Sequence, residues 1–440
     1  MKTSRAAAFE ILLKIHKDGA YSNLALDASL ENKIFSHVEK AFISALVYGV
    51  TERTLTLDYQ LEKYLSQPLR KLKPQVLVIL RMGAYQILFM DKIPVSAAVN
   101  ESVKLTKSCG CAFASGLVNA ILRKVSQNGI VLPDEKDRIK RCSIEYSCPE
   151  WILNLWKECY GEENALKIAE CSVGAAETVL RVNTLKISRD EFISKLADEG
   201  IEARRGTIEN SVVLSKAGSI RDLQCYKDGL FHVQDIASQL CCMALDAKEG
   251  EKVLDICSAP GGKAFTAAEY MNNKGVITAC DIYESRLKLI DLGAERLGIN
   301  IIKTFVNDAT VKNAALEKYD KIICDVPCSG LGVIRRKPEI RLKTAAEVDK
   351  LSEIQYSIMK IASDCLKEGG VMIYSTCSLN KDENENVYYR FLKENPEFEA
   401  VRVLPDVKRA GEDTDTLTLM PHIHSSDGFF ISAVRRRNGS

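Results

Sequence analysis

Two cysteines stand where covalent chemistry can be done. Cys328 lies in Asp325-Val-Pro-Cys-Ser-Gly330, and Cys377 lies in Tyr374-Ser-Thr-Cys-Ser378. Each follows a short apolar run, Lys321 to Asp325 and Gly370 to Tyr374, of the kind that forms a fully buried strand. In an open α/β sheet, reactions gather just outside the carboxyl ends of such strands. Pro327 stiffens the first loop, and Ser329-Gly330 lets it turn tightly. If the two strands are neighbours, both thiols and the Asp325 carboxylate share one pocket. Two thiols and a carboxylate suit covalent chemistry on an electron-poor ring.

The elements that must position these residues form a regular series. From about Val233 strands alternate with helices: strand Lys252 to Asp255, a turn Cys257-Ser-Ala-Pro-Gly-Gly-Lys263, and a helix through Met271. Strand Val276 to Cys280 ends at Asp281 and is followed by a helix from Ser285 to Leu297. Strand Lys303 to Val306 ends at Asn307-Asp308. The two cysteine-bearing strands come next, separated by a helix from Ala345 to Leu366, and Gly428 to Val434 closes the series as a strand. Such alternation predicts a parallel sheet with helices on both faces, a Rossmann-like α/β domain over residues 233–440.

The strand ends suggest what this sheet binds. Pro260-Gly261-Gly262 lets backbone N–H groups approach a ligand at the mouth of the first strand. Asp281, 26 residues beyond Asp255, can accept both hydroxyls of a ribose, and Asp308 can accept from an adenine amino group. No phosphate-gripping glycine motif is present, so a nucleoside without pyrophosphate fits better. S-adenosylmethionine suits the arrangement, with Asp325 beside its methyl group. Cytosine is then a fitting ring. Its C5 is a poor nucleophile until a thiolate adds at C6, after which a base must remove the C5 proton so that the thiol can leave. Asp325 can hold the N3/N4 edge of that ring. On chemistry alone either cysteine can be the nucleophile.

The rest of the chain reads differently. Residues 1–141 are helical throughout, with helices over Pro74 to Met90, Val95 to Thr106 and Ala112 to Ser126, and a capping box at Ser36-His-Val-Glu39. Residues 142–232 form a small α+β module after a polar link from Asn128 to Ser147. Charge nearly cancels overall at +1, but residues 1–141 carry 21 Lys+Arg against 13 Asp+Glu, which leaves the remainder at −7. A basic first part predicts an anionic partner, with Arg70, Lys71, Lys73, Arg123 and Lys124 as phosphate contacts or as solvated helix faces. Arg335-Arg336-Lys337, with Arg341 and Lys343, predicts a second basic edge beside the pocket, a contact for the phosphates of an anionic partner or a solvated loop. The 15 cysteines are scattered and form no paired metal-binding sets, so neither a disulfide framework nor a zinc site is expected. The run from Val76 to Met90 is short and broken by Arg81, which suits a buried helix, and a cytoplasmic protein is expected.

Several of these segments resemble one family. CSAPGGK at 257–263, DVPCSG at 325–330, YSTCS at 374–378 and Asp427-Gly-Phe-Phe430 look like the bacterial RNA cytosine-C5 methyltransferases. With its helical N-terminus the chain is most similar to the RsmB (Fmu/Sun) type, whose first domain resembles the antitermination factor NusB. The resemblance implies a NusB-like bundle, a small middle module and a methyltransferase fold that takes S-adenosylmethionine. It implies 16S ribosomal RNA as substrate, no membrane, and no obligate protein partner. It also implies Cys377 as nucleophile, Cys328 as the thiol that assists release, and Asp325 in the cytosine site. Cys257, Ser258, Ala259, Pro260, Gly261, Gly262, Lys263, Asp281 and Asp308 would line the cofactor site with Asp325. Ser258 and Ala264 stand where the family often has Ala and Thr, both conservative in size. Alternatives are a tRNA or DNA cytosine methyltransferase and a non-catalytic RNA-binding assembly factor. The DNA enzymes use a Glu-Asn-Val tripeptide, and Glu385-Asn386-Val387 is present, but here it reads as part of a helix after the Thr-Cys loop.

Overall fold

The computed structural model describes residues 3–18, 26, 29, 35–134, 136–215, 219–410 and 414–439. It divides into two compact units: Met1–Ala175 with Ile334–Ala345, and Ala176–Val333 with Ala346–Ser440.

The first unit is helical, as its apolar spacing predicts. Its longer helices are Ser4–Asp18, His37–Glu52, Pro74–Phe89, Val95–Ser108 and Ser115–Asn128. Ser36 caps the second of these: its Oγ accepts from Glu39 N, and Glu39 Oε2 accepts from Ser36 N at 2.9 Å. Leu46, Leu57, Ile79, Leu80, Val118 and Leu122 are fully buried between the helices. The stretch expected as a polar link contains a further helix, Arg138–Glu145, started by Asp137 accepting from Lys140 N. Ser147 Oγ accepts from Leu55 N at 3.0 Å, and Arg53 donates to Glu145 O at 2.9 Å. These long-range bonds hold helices Arg138–Glu145, Glu150–Tyr160 and Glu162–Cys171 in the first unit, which runs to Ala175.

The second unit holds two sheets. The small antiparallel one comprises β1 (Thr178–Val182), β2 (Ala203–Arg205), β3 (Ser211–Leu214) and β4 (Phe231–Val233), in the order β2-β3-β1-β4. One of its faces buries Leu180, Val212 and Phe231 against Phe192 and Leu196. The other turns Val179 and Val213 into the same core as Ile236, Leu240 and Phe265. That shared core makes the small module part of this unit.

The large sheet comprises β5 (Lys252–Asp255), β6 (Val276–Asp281), β7 (Ile302–Val306), β8 (Tyr319–Asp325), β9 (Leu366–Thr376), β10 (Phe398–Val401), β11 (Leu417–Leu419) and β12 (Phe429–Arg436). The strand order is β10-β12-β9-β8-β5-β6-β7, with β11 also on β12. Side chains alternate between two buried faces: Val253, Ile323, Ile373 and Ile431 on one, Leu254, Ile322, Met372 and Phe430 on the other. Strands β5 to β9 are parallel, but β12 runs antiparallel to β9 and β10 antiparallel to β12. The sheet is therefore mixed and not parallel throughout. A parallel neighbour needs a crossover of a dozen residues or so, and the short connection between β11 and β12 leaves room only for an antiparallel pair. The single helix expected over Ala345 to Leu366 is broken into Ala345–Val348 and Leu351–Ser363, and Leu366 already belongs to β9. Strand order reverses between β5 and β8, which opens a crevice at their carboxyl ends.

Candidate active site

Both cysteine loops leave the same edge of the large sheet. β8 and β9 pair with Asp325 opposite Ser375, so the loops that follow run side by side. Cys328 Sγ lies 3.1 Å from Cys377 Sγ, and both residues are partly exposed. The hydrogen bond to Cys377, and burial after it, pushes the Cys328 thiol well above the ordinary range. Cys241 and Cys280 are likewise raised, to about 12 by burial, so what sets Cys328 and Cys377 apart is their place on partly exposed strand-end loops. A glycine pair brings the loops together. Gly332 N donates to Cys377 O and Gly428 N to Gly332 O, both at 2.9 Å. A Cβ at Gly332 would meet Gly428 O at 1.9 Å, so no larger residue fits there.

Asp325 is held from two sides. Its Oδ2 accepts from Lys263 Nζ at 2.6 Å and its Oδ1 from Ser375 Oγ at 2.7 Å. Burial works against the Lys263 ammonium, yet Asp325 beside it keeps its pKa above the usual lysine value. Lys263 reaches this place from the glycine turn. Gly261, at φ +104°, precedes the helix Gly262–Tyr270 in a conformation that side chains avoid. The ion pair therefore spans the crevice between β5 and β8. Sequence reasoning placed Lys263 in the cofactor turn but missed this partner, which lies 62 residues away.

The ligand side of the crevice carries buried polar atoms without protein partners. Asp255 is 1% exposed, and burial pushes its carboxyl up to about 7. Among the described residues, both Asp255 oxygens, Ser258 Oγ and Asn307 Nδ2 have no hydrogen-bond partner. Buried polar groups are rarely left so unless a ligand or water completes them. Asp281 is buried, accepts from Tyr283 N at 3.1 Å, and pairs with Arg286 at 3.0 Å. Arg286 also donates to Ala259 O at 2.8 Å, tying the end of β6 to the Pro260 turn. Ile282 and Tyr283, 50% and 60% exposed, add an apolar surface next to Asp281. The sequence signal, an Ile-Tyr pair just past a strand-end acid, was there to be read. Asp308 is exposed and accepts from Thr310 N at 2.9 Å and Thr310 Oγ1 at 2.6 Å, while its neighbour Asn307 is the buried one. An adenosine-bearing ligand fits this set of donors and acceptors.

The residues read as a second basic edge lie in Ile334–Ala345 of the first unit. Arg335 donates to Gly174 O at 3.3 Å and to Ala175 O at 2.6 Å, and Lys337 is exposed. Arg341 is no surface residue. It is 5% exposed and donates to Ser147 O, Ser172 O and Ile334 O, so its charge serves the packing of the helices. Glu385-Asn386-Val387 opens the helix Glu385–Glu394, and Glu385 accepts from Thr418 Oγ1 at 3.2 Å.

Comparison with known proteins gives the family. Residues 242–435 match the model of the 16S rRNA methyltransferase RsmB/F family, residues 2–127 the NusB family, and residues 148–221 an RsmF/B-like, ferredoxin-like domain. The probable ribosomal RNA small subunit methyltransferase B of Bacillus subtilis is 37% identical over 99% of both chains. Its counterpart in Synechocystis is 33% identical over 99% of this chain and 100% of its own. One crystal structure aligns over 99% of this chain and 98% of its own, with TM-score 0.84 and 26% identity. That of a methyltransferase homolog protein from Pyrococcus horikoshii covers 68% of this chain and 99% of its own, with TM-score 0.60 and 29% identity. An RNA methyltransferase with a NusB-like helical domain and a ferredoxin-like module is the class these findings define. The chain belongs to the RsmB/F family of 16S rRNA methyltransferases. Among the described residues, no helix is long and apolar enough to cross a membrane.

Proposed function

We propose that this chain methylates C5 of a cytosine in 16S ribosomal RNA, with S-adenosylmethionine as methyl donor and Cys377 as nucleophile. The observation that carries the reading is the 3.1 Å approach of the two thiols beside Asp325. At 3.1 Å the two thiols can share a proton, so one can be the nucleophile while the other holds the proton; the family resemblance of the Thr376-Cys377 loop gives the first role to Cys377. That thiolate adds to C6 and makes C5 nucleophilic. Asp325, oriented by Lys263 and Ser375, holds the N3/N4 edge and favours the protonated ring of the adduct. Cys328 assists release: a base, the Cys328 thiolate or solvent hydroxide, takes the C5 proton, the Cys377–C6 bond breaks and Cys377 leaves as thiolate. Bound in the crevice, S-adenosylmethionine supplies an electrophilic methyl group. Asp255, the Cys257–Lys263 turn, Asp281 and Asp308 would hold it, and the unpartnered oxygens of Asp255 support that assignment. Labelled cofactor incubated with unmodified small-subunit RNA should yield 5-methylcytosine; a methyl group found only on adenine, on ribose or on DNA would sink the proposal.

Arg335, Arg336 and Lys337 are proposed to meet RNA phosphates, and the helical unit to bind the same RNA. Arg70, Lys71, Lys73, Arg123 and Lys124 are all exposed in that unit. Lys73 Nζ lies 4.9 Å from the ring of Phe113, which is itself 70% exposed. Reversing Lys71, Lys73, Arg123 and Lys124 to Glu in the full chain should weaken RNA binding. It should also lower the salt slope, by roughly 0.7 to 0.9 for each phosphate that is no longer neutralised. Filter binding across a salt series reads both quantities. An unchanged slope would mean that these are ordinary solvated charges.

A further inference from the structure

Behind the two thiols lies a buried carboxylate that the proposed reaction does not use. Glu383 is 1% exposed and stands just before the helix Glu385–Glu394. It accepts from Ser329 N at 2.7 Å, Ser329 Oγ at 2.5 Å, Ser378 Oγ at 2.7 Å and Gln355 Nε2 at 3.0 Å. Ser329 follows Cys328 directly, and Ser378 follows Cys377 directly. The two serine hydroxyls also meet each other at 2.8 Å. Gln355 donates in turn to Pro327 O at 3.0 Å, on the other side of Cys328. Asn384 grips the second loop: its Nδ2 donates to Ser378 O at 2.9 Å, and its Oδ1 accepts from Thr376 Oγ1. A buried carboxylate is costly unless its lone pairs are filled, and here they are filled only when both loops are in place.

We propose that Glu383 is a positioning residue that locks the Cys328 and Cys377 loops in one register and so sets the separation of the two thiols. The register itself follows from geometry; its importance for turnover rests on the two-cysteine reading of the site. Glu383→Gln tests both while keeping the volume: it removes the charge and one acceptor, so either the two serine hydroxyls must turn from donating to accepting or Ser329 N and Gln355 Nε2 lose their acceptor. Diamide, which takes both thiol hydrogens and becomes the hydrazine, joins Cys328 to Cys377 at a rate that reports their separation, read by mass spectrometry of the linked peptides. In the full-length chain, Glu383→Gln should slow this link about tenfold while the melting temperature stays close to that of the parent. Turnover should fall by roughly 100-fold, as a shift of about 1 Å in reacting groups does, with the KM for RNA unchanged. Glu383→Asp keeps the charge but falls short of the serines, so it should recover only part of the loss.

A wild-type linking rate in folded Glu383→Gln protein overturns the proposal. If that variant does not fold, Ser378→Ala decides, since it removes one arm of the clamp; linking at the parent rate there overturns it equally. Slower linking in a chain whose parent makes no 5-methylcytosine would sustain the clamp and sink the proposed reaction instead.

Discussion

Replacing Cys377 by Ala should abolish methyl transfer, a loss of roughly 10⁴-fold or more, as removal of a covalent nucleophile does. Cofactor binding should survive, because Asp255 and Asp281 are untouched. Cys328→Ala should behave in another way. Cys377 still adds to C6 and the methyl group is still placed, but release is slow. A protein–RNA adduct should accumulate and survive denaturing gel electrophoresis. Adding Cys377→Ala to that variant should remove the adduct. The test is sharp because the two sulfurs lie 3.1 Å apart and steric access alone does not choose between them. An adduct that appears in Cys377→Ala and vanishes when Cys328 is lost would exchange the two roles.

The second large effect lies away from the thiols. Arg181 in β1 is 2% exposed, and its Nε lies 2.8 Å from Oε2 of Glu269, whose side chain is fully buried. Arg181→Ala leaves that carboxylate without its cation and should cost about 3–5 kcal/mol of stability. Replacing both residues by Met should cost far less, since the charge to be neutralised goes with the cation. The loss should also depend on pH. His232, whose Nδ1 is 3.6 Å from Glu269 Oε1, is pushed down to about 3 by burial first and then by Arg181 and Arg296. With a folded value below the ordinary 6.5, it binds fewer protons folded than unfolded between those two pH values. Its neutrality therefore costs the fold stability as pH falls from 6.5 toward 3, by up to roughly 1.4 kcal/mol per pH unit. In Arg181→Ala the repelling cation is gone, so His232 can protonate, and the Glu269 carboxyl, already raised to about 7 by burial, loses the cation that lowered it and takes up a proton more readily. The stability gap between variant and parent should therefore be widest at pH 7.5 and narrower at pH 5.5. Urea denaturation at both values measures it; an equal gap would show that neither His232 nor Glu269 takes up a proton there, and adding His232→Gln separates the two.

Local pattern carried a good share of this protein. Each strand of the large sheet except β10 and β11 is legible in the sequence, all but the edge strand β7 as an apolar run, and the two cysteine loops follow such runs. Cys328, Cys377, Asp325, Asp255 and Asp281 sit where strand ends bring them, because burial on both faces of a sheet leaves few ways to write a strand. The capping box at Ser36 and Glu39 was legible for a similar reason: its two partners are three residues apart. The small helix Arg138–Glu145 was harder to see, since its charges resemble those of a linker and only its Asp137 cap marks it.

Sequence by itself determined the order of strands and helices and the loops that hold the thiols. Tertiary structure decided which of those loops meet. Lys263 and Asp325 pair across 62 residues, Ser329 and Glu383 across 54, and Arg181 and Glu269 across 88. Nothing in a window of ten residues records such a pairing, because it depends on strand order, and strand order depends on how the whole apolar surface is best buried. The same reason explains Arg341. Read along the chain it belongs to a run of exposed cations, yet it folds inward because the carbonyls of Ser147 and Ser172, far away in sequence, offer a buried guanidinium its partners.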